Sequence, residues 1–556
     1  MQHIFQPKLI TVFREGYGQK QFFNDLTAGT IVGIVALPLA IAFAIASGVT
    51  PDKGLVTAIV AGFIISLLGG SRVQIGGPTG AFVVIVYGII AQYGTNGLII
   101  STFLAGLILI LFGVIQIGGI IQLIPYPLIV GFTSGIAVVI FTSQIKDFFG
   151  FGINDLPAGF IEKWSLYFHH FFRANIYALL IAIFTVLISL YFNRIMRRIP
   201  GSIIAILIFT IITVMFHFPV ETIGSRFGDI PSHLPRLTFP EVSVFELKKY
   251  VQPAFTIAML GAIESLLSAV VADGMISGSH RPNTELIAQG TANIFSSLIG
   301  GIPATGAIAR TATNIKNGGR TPIAGIIHAV VLLLIMLFFG KWAKLIPLSC
   351  LAGILVVVSY NMSEWKSFVS ILRGSKYDIL VLLASFFLTV LVDLTFAIEI
   401  GIVLASFTFM RRMILVSKVH PVDERFIDEE LRPDIPEILL KPEGVDVYEV
   451  NGPFFFGAAN KFREVLNNIH SRTEILIIRM RNVPFIDATG IHNFREMIKE
   501  FNHRKVKVIL SGVNPEVYDE LVKARLVFLL GKKNIFNNIN DALKRAGDLI
   551  EESKKK

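Results

Sequence analysis

Gly300-Gly301-Ile302-Pro303-Ala304-Thr305-Gly306-Ala307-Ile308-Ala309-Arg310, running on through Thr311 to Thr321, breaks two long apolar runs with glycine and proline. It also places Arg310 at a depth where charge is costly. Gly76-Gly77-Pro78-Thr79-Gly80-Ala81 repeats its core: a glycine-rich approach and a proline, then Thr-Gly-Ala. Two short segments of this kind at corresponding places in two halves of a chain mark a transporter site built from discontinuous helices.

With 53% hydrophobic and 16% charged residues over 556 positions, the chain holds many spans' worth of apolar sequence. Residues 1–24 carry Lys8, Arg14 and Lys20 but no short apolar core ending in a cleavage site, so the first span is expected to direct insertion. The formal net charge of +10 is spread through loops between apolar runs, where Lys and Arg set topology, so the expected macromolecular surface is the lipid bilayer and not nucleic acid. The single cysteine, Cys350, forbids a disulfide within the chain. Neither a phosphate-binding loop nor a metal-ligand cluster nor a Ser/His/Asp arrangement stands out, so no cofactor, no metal and no enzyme activity are expected.

Spans of about 20 apolar residues, shorter where a half-helix stops inside the bilayer, place seven segments in the first half. They are Asp25–Ser47, Gly54–Leu68, Pro78–Gln92, Leu98–Ile117, Pro127–Ile145, Ile176–Phe192 and Ser202–Phe216. Seven more follow a Pro-rich, charged linker (219–250): Val251–Ile276, Glu285–Ile299, Ala304–Ile315, Pro322–Phe339, Leu345–Ser359, Tyr377–Val392 and Phe396–Val416. Each broken segment is third in its half, and an odd number of spans per half inserts the halves in opposite orientation, so the expected fold is a 14-span, polytopic α-helical protein of 7+7 inverted repeats (25–217 and 251–417). Arg194, Arg197 and Arg198 after the sixth span and Arg411 and Arg412 near the end of the last fit both termini in the cytoplasm of a cell inner (plasma) membrane. A Pro-rich linker, 418–443, leads to alternating strand and helix patterns over 444–550, a small α/β domain with a helix expected at Asn460–His470.

Helices that begin inside the membrane present unpaired N–H groups and the positive ends of their dipoles. Two such starts facing each other make an anion pocket, in which Gly80, Ala81, Gly306 and Ala307 allow close approach and Thr79 and Thr305 can add hydroxyl donors. Arg310, a little more than a turn after Thr305, can lean toward the same pocket, and a guanidinium matches carboxylate or sulfate geometry. Glu264, alone in the apolar run Ala258–Ala272, is the candidate coupling carboxylate, and Ser268 shares its helix face. Asp273 reads as structural, His328 as a packed, hydrogen-bonded histidine, and Asp393, Glu399, Lys146 and Asp147 as solvated or capping span ends. In Phe485-Ile486-Asp487-Ala488-Thr489-Gly490, Asp487 or Thr489 can cap a helix, and Thr489 is a possible phosphorylation position.

These residues resemble the SulP family of anion transporters, which join two inverted seven-span repeats to a cytoplasmic STAS domain. The resemblance rests on Ala36 to Ala44, Gly76 to Ala81, Gly261-Ala262-Ile263-Glu264-Ser265-Leu266-Leu267, Ala304 to Arg310, and the Asp487-Ala488-Thr489-Gly490 turn. Within the family the chain looks most like the proton-coupled C4-dicarboxylate carriers, in Gly131 to Gly135, Gln144 to Phe148 and Asn361 to Glu364. The resemblance implies substrate binding at Phe43, at Pro78, Thr79, Gly80, Ala81 and Phe82, and at Ala304, Thr305, Gly306, Ala307 and Arg310, an elevator-like motion, and a homodimer or regulatory partner through STAS. Glu264, where sodium-coupled bicarbonate members have Asp, tilts the expected coupling ion toward a proton. Pro38-Leu39-Ala40 lacks the Pro-Gln-Gly of many sulfate members, which weakens a sulfate reading. The expected function is proton-coupled uptake of a dicarboxylate or similar small anion; the alternatives are a sodium-coupled bicarbonate or sulfate carrier and an anion-sensing receptor signalling through STAS.

Overall fold

Pro51, Pro127, Pro282 and Pro322 each fall in the first turn of a helix, where a missing N–H removes no intrahelical bond. The computed structural model describes residues 5–121, 125–153, 156–157, 159–195, 201–228, 237, 247–392, 394–416, 418–422, 442–455 and 473–554. Arg197, Arg198, Asp393, most of both expected linkers and the expected helix Asn460–His470 lie outside them. The chain divides into two compact units, Met1–Ala405 and Ser406–Lys556.

The first unit begins with α1 (Lys8–Glu15), α2 (Gln19–Ala46) and α3 (Pro51–Leu68), a two-residue strand β1 (Gly76–Gly77), and α4 (Gly80–Val114). Next come α5 (Gly118–Ile121), α6 (Tyr126–Phe149), α7 (Phe160–His170), α8 (Ile176–Ile195), α9 (Gly201–Phe216) and α10 (Ile223–Phe227). The second half brings α11 (Lys248–Ile276), α12 (Pro282–Leu298), strand β2 (Thr305–Gly306), α13 (Ile308–Lys316) and α14 (Pro322–Ala343). It closes with α15 (Leu348–Met362), α16 (Trp365–Leu372), α17 (Lys376–Leu391) and α18 (Leu394–Val416).

Among the described residues, seven helices are long and apolar enough to cross a membrane, eight if the pair α7–α8, bent by 115°, forms one span. By that measure the 14-span expectation is met only in part, for physical reasons visible in the helices. Two expected spans run together in α4, which breaks at Gly94 with φ 68°. The helices α9, α12, α13 and α17 are 16, 17, 9 and 16 residues long, short of a full crossing for a straight helix.

Small residues set the packing. The Cα atoms of Gly106 on α4 and Gly290 on α12 face each other so closely that a Cβ on either would lie 2.5–2.6 Å from the other's carbonyl oxygen. Such contacts let helix backbones approach where lipid supplies no hydrophobic drive. In this way α4 packs on α11 and α12, while α14 packs on α2 and α3. A second group is formed by α6 with α15 and α17, and by α8 with α9 and α15.

The second unit is a five-stranded sheet in the order β3 (Lys418–Pro421), β4 (Val445–Asn451), β5 (Ile475–Asn482), β6 (Lys507–Ser511), β7 (Ile535–Phe536). Only the β3–β4 pair is antiparallel. Alternating side chains feed two cores: Leu476, Ile478 and Leu510 under α19 (Ala488–His503), α20 (Pro515–Lys523) and α21 (Leu526–Leu530), and Ile475, Ile477 and Ile509 under α22 (Ile539–Lys554).

Candidate functional site

α3 ends at Leu68 and α12 at Leu298, and the extended backbone that carries Pro78 and Pro303 pairs with itself. Strands β1 and β2 run antiparallel, with Gly76 opposite Gly306 and Gly77 opposite Thr305. Ala307 N–H adds a 2.8 Å bond to Ile75 O. Each strand leads at once into a helix, α4 at Gly80 and α13 at Ile308, so both positive helix ends flank one crossing point. Thr79 and Ala307, the residues at these two starts, provide no side-chain cap, which leaves first-turn N–H groups without an intrahelical partner.

The crossing gathers most of the residues expected there. Arg310, 3% exposed, reaches back to donate from Nη2 to the carbonyl of Pro78, while its Nη1 has no hydrogen-bond partner. Gly77 makes this possible: its φ is 148°, and a Cβ there would lie 2.5 Å from Arg310 Nη1. Thr79 Oγ1 donates to Glu264 Oε2 at 2.9 Å, which ties the start of α4 to the carboxylate of α11. Glu264 and Arg310 are near enough for their charges to attract. Phe43, Ile140 and Met362 roof the start of α4: a Cβ on Gly80 would meet Met362 Sδ at 2.8 Å and both Phe43 Cε1 and Ile140 Cδ1 at 3.3 Å. Phe82, 1% exposed, packs toward Gly261. Ala81 is buried in the same apolar cluster as Phe43 and Phe82.

Other expected residues take different duties. Both threonine hydroxyls are already engaged, Thr79 by Glu264 and Thr305 by Gly261 O at 3.0 Å, because a buried hydroxyl takes the nearest acceptor. In this structure both hydroxyls donate within the protein. Gly306 faces Gln74, whose Nε2 a Cβ would strike at 1.6 Å. Ala304 is pinned by both ends of the Asn293 amide, at 2.8 and 2.9 Å. Ser268 is 3.4 Å from Thr311 Oγ1, its recorded hydrogen-bond partner, and no bond to Glu264 is formed. His328 is fully buried and packed beside Gly62. Asp273 accepts from His280 N at 2.8 Å, a structural role. In the second unit Asp487 Oδ1 accepts from Gly490 N at 2.6 Å and caps α19, while Thr489 is exposed.

Two buried carboxylates carry weight that the sequence did not assign. Glu285, fully buried, accepts from Gly70 N (2.8 Å), Ser71 N (3.1 Å), Gln289 Nε2 (2.9 Å) and Ser265 Oγ (3.3 Å), and Ser265 in turn accepts from Gln74 (2.9 Å). It thus fixes the approach to β1 against α11 and α12. Asp25, also fully buried, accepts from Tyr17, Gln21, Arg320 N and Thr321 and anchors the start of α14. Among the described residues, no group of three or more His, Cys, Asp or Glu could hold a metal ion.

Residues 22–385 match the Sulfate permease family, and residues 438–542 match the STAS domain. YvdB of Bacillus subtilis (strain 168) is 42% identical, over 94% of this chain and 98% of its own length. The "Bicarbonate transporter BicA" of Picosynechococcus sp. (strain ATCC 27264 / PCC 7002 / PR-6) is 31% identical, over 94% of each. The fold is that of the murine Solute Carrier 26 family member A9 anion transporter, with a TM-score of 0.86 at 18% identity, covering 97% of this chain and 94% of that one.

Proposed function

This chain belongs to the sulfate permease family and carries a STAS domain, so it is a multi-pass secondary active anion transporter and not an enzyme; from that premise we propose that it carries a small oxyanion of the sulfate or bicarbonate type, driven by a monovalent cation. The observation that carries this reading is the β1–β2 crossing: two uncapped helix starts converge there with Arg310, whose Nη1 has no hydrogen-bond partner. Positive charge fixed in a dry site favours a compact anion that can accept several donors at once. Phe43, Pro78 to Phe82 and Ala304 to Arg310 form or support this site, with Gly306 and Ala304 supporting from behind. The expected dicarboxylate finds no support in the names of these relatives, whereas the bicarbonate and sulfate alternative does.

Glu264 is the coupling group in this proposal. Its carboxylate is held by Thr79 at the substrate helix and sits within reach of the Arg310 charge, so a cation that neutralises it changes the field at the anion. The packing also supports inverted repeats: α4 against α11 and α12 is mirrored by α14 against α2 and α3, and α6 with α17 by α15 with α8. We place both termini in the cytoplasm of the cell membrane, with STAS mediating a homodimer or regulatory contact. Proteoliposomes loaded with imposed proton or sodium gradients, given labelled sulfate or bicarbonate, test the reading. One gradient should drive accumulation and Glu264→Gln should abolish that drive. Accumulation that survives Glu264→Gln would remove Glu264 from coupling, and binding without net flux would favour a receptor.

A further inference from the structure

A cavity of about 620 Å³ opens at the end of the first unit opposite α1. Ile45, Ala46, Val83, Val84 and Ile140 line it, and Ile140 is one of the side chains that roof Gly80, so the cavity borders the cover of the β1–β2 site. Its three lining cations, Lys146, Lys163 and Arg226, are not equivalent, and Lys146 and Arg226 are both engaged elsewhere. Arg226 is engaged by Asp147 at 2.8 Å and also by Glu221. Lys163, on α7, is only 6% exposed, and its Nζ lies 5.1 Å from the Tyr87 ring centroid, with no carboxylate within ion-pair distance among the described residues. Tyr87 is itself held in place through its hydroxyl, which donates to Leu156 O at 3.1 Å. On the facing helix α6, Thr142 lines the same cavity, is 1% exposed, and its hydroxyl has no hydrogen-bond partner.

A buried ammonium satisfied only by an aromatic face retains unmet hydrogen-bonding capacity, and a low-dielectric wall strengthens its field. An unpartnered hydroxyl across the cavity supplies a further donor. Phosphate-like and carboxylate-like oxyanions are the class that an ammonium and a hydroxyl donor in one cavity wall recognise. We propose that this cavity is a second anion site, centred on Lys163 and Thr142, where a small oxyanion waits before passing the Ile140 cover to the half-helix crossing. The inference rests on the oxyanion reading above, but the site is a binding site in its own right and can be examined without transport.

The test uses the full chain in detergent with Gln92→Cys, a position that lines the cavity; the native Cys350 is fully buried. Rates of modification by an anionic and a cationic methanethiosulfonate are compared, with and without sodium sulfate against chloride of matched ionic strength. The expected result is that Lys163→Gln lowers the anionic-to-cationic rate ratio about tenfold, that Lys163→Arg restores it, and that sulfate slows labelling only when position 163 is cationic. Thr142→Val should weaken sulfate protection while leaving the rate ratio near its original value. In proteoliposomes with labelled sulfate, Lys163→Gln should raise KM with the maximal rate unchanged. A rate ratio indifferent to Lys163→Gln, or sulfate protection no greater than that of chloride, overturns the site. Loss of the Lys163 effect on labelling counts against the vestibule alone, whereas intact labelling effects in a protein that carries neither sulfate nor bicarbonate count against the transport reading alone.

Discussion

Arg310 divides its guanidinium between two tasks, and the division can be measured. Nη2 holds the Pro78 carbonyl and Nη1 has no hydrogen-bond partner, so the proposal gives Nη1 to the anion. A hydrogen bond between charged groups contributes about 2 kcal/mol, so Arg310→Ala should raise the KM for the carried anion about thirtyfold. The pH profile of uptake should move little, because the proposal assigns coupling to Glu264; a profile that shifts while KM holds would reverse these assignments. Thr79→Val makes the opposite selection. It removes the hydroxyl bonded to Glu264 at 2.9 Å, leaving a carboxylate short of a donor at a cost of about 1–2 kcal/mol. That carboxylate then gains more from a cation, so half-maximal uptake should occur at a roughly tenfold lower concentration of the coupling ion, with anion KM within about twofold. Titrating uptake against sodium and against pH in the variant checks it. The partners of these side chains were not legible in the sequence. A lone Glu in an apolar run announces itself, but which hydroxyl it takes depends on where α4 and α11 cross. Glu285 shows the limit more sharply: at the edge of an apolar run it reads as a span end, yet tertiary packing buries it completely under four donors.

The broken elements were the most legible part of the chain because glycine and proline act locally. Pro78 and Pro303 end one conformation whatever surrounds them, and both helix starts fall within a few residues of where the repeated Pro-Thr-Gly-Ala pattern puts them. What local chemistry could not reveal is that the two approaches pair as strands, since that needs residues 228 and 230 positions apart to meet. The pairing makes Gly306 the tightest position of the site: Gly306→Ala drives a methyl into the Gln74 amide, and overpacking of this kind costs about 1–3 kcal/mol. Thermal unfolding of the purified variant should shift down and uptake should fall sharply. Gly274→Ala on α11 is the matched control, because a Cβ there meets nothing within 4 Å, and it should leave both near wild type. Equal effects of the two substitutions would mean that the strand pair is not a constraint on the site. The short elements α5, α7, α10 and α16 escaped the sequence reading for a related reason: each is too brief for its periodicity to be separated from a loop.

At the scale of the whole membrane unit, two helix groups meet at the candidate site. Both half-helices, Glu264 and Arg310 belong to the group of α2, α3, α4 and α11 to α14, whereas Ile140 and Met362, which roof Gly80, belong to the group of α6, α8, α9, α15 and α17. On the proposed reading, an anion bound on one group and covered by the other would be released by sliding the first past the second, which would keep the site's own geometry intact while its exposure changes sides. Joining the groups should therefore separate binding from flux. Tyr87 on α4 and Leu156, beyond α6, touch through a 3.1 Å hydrogen bond and lie outside the crossing itself. In the variant Tyr87→Cys with Leu156→Cys, a short bifunctional thiol reagent should bring sulfate or bicarbonate uptake to background, and a cleavable reagent should restore it on reduction. Protection of the protein against thermal unfolding by the carried anion should persist in the joined state, since the half-helices, Arg310 and Glu264 all move as one body. Flux that continues at an undiminished rate through the joined protein would show that no such relative motion is needed, and protection lost together with flux would place part of the anion's binding on the α6 and α15 side.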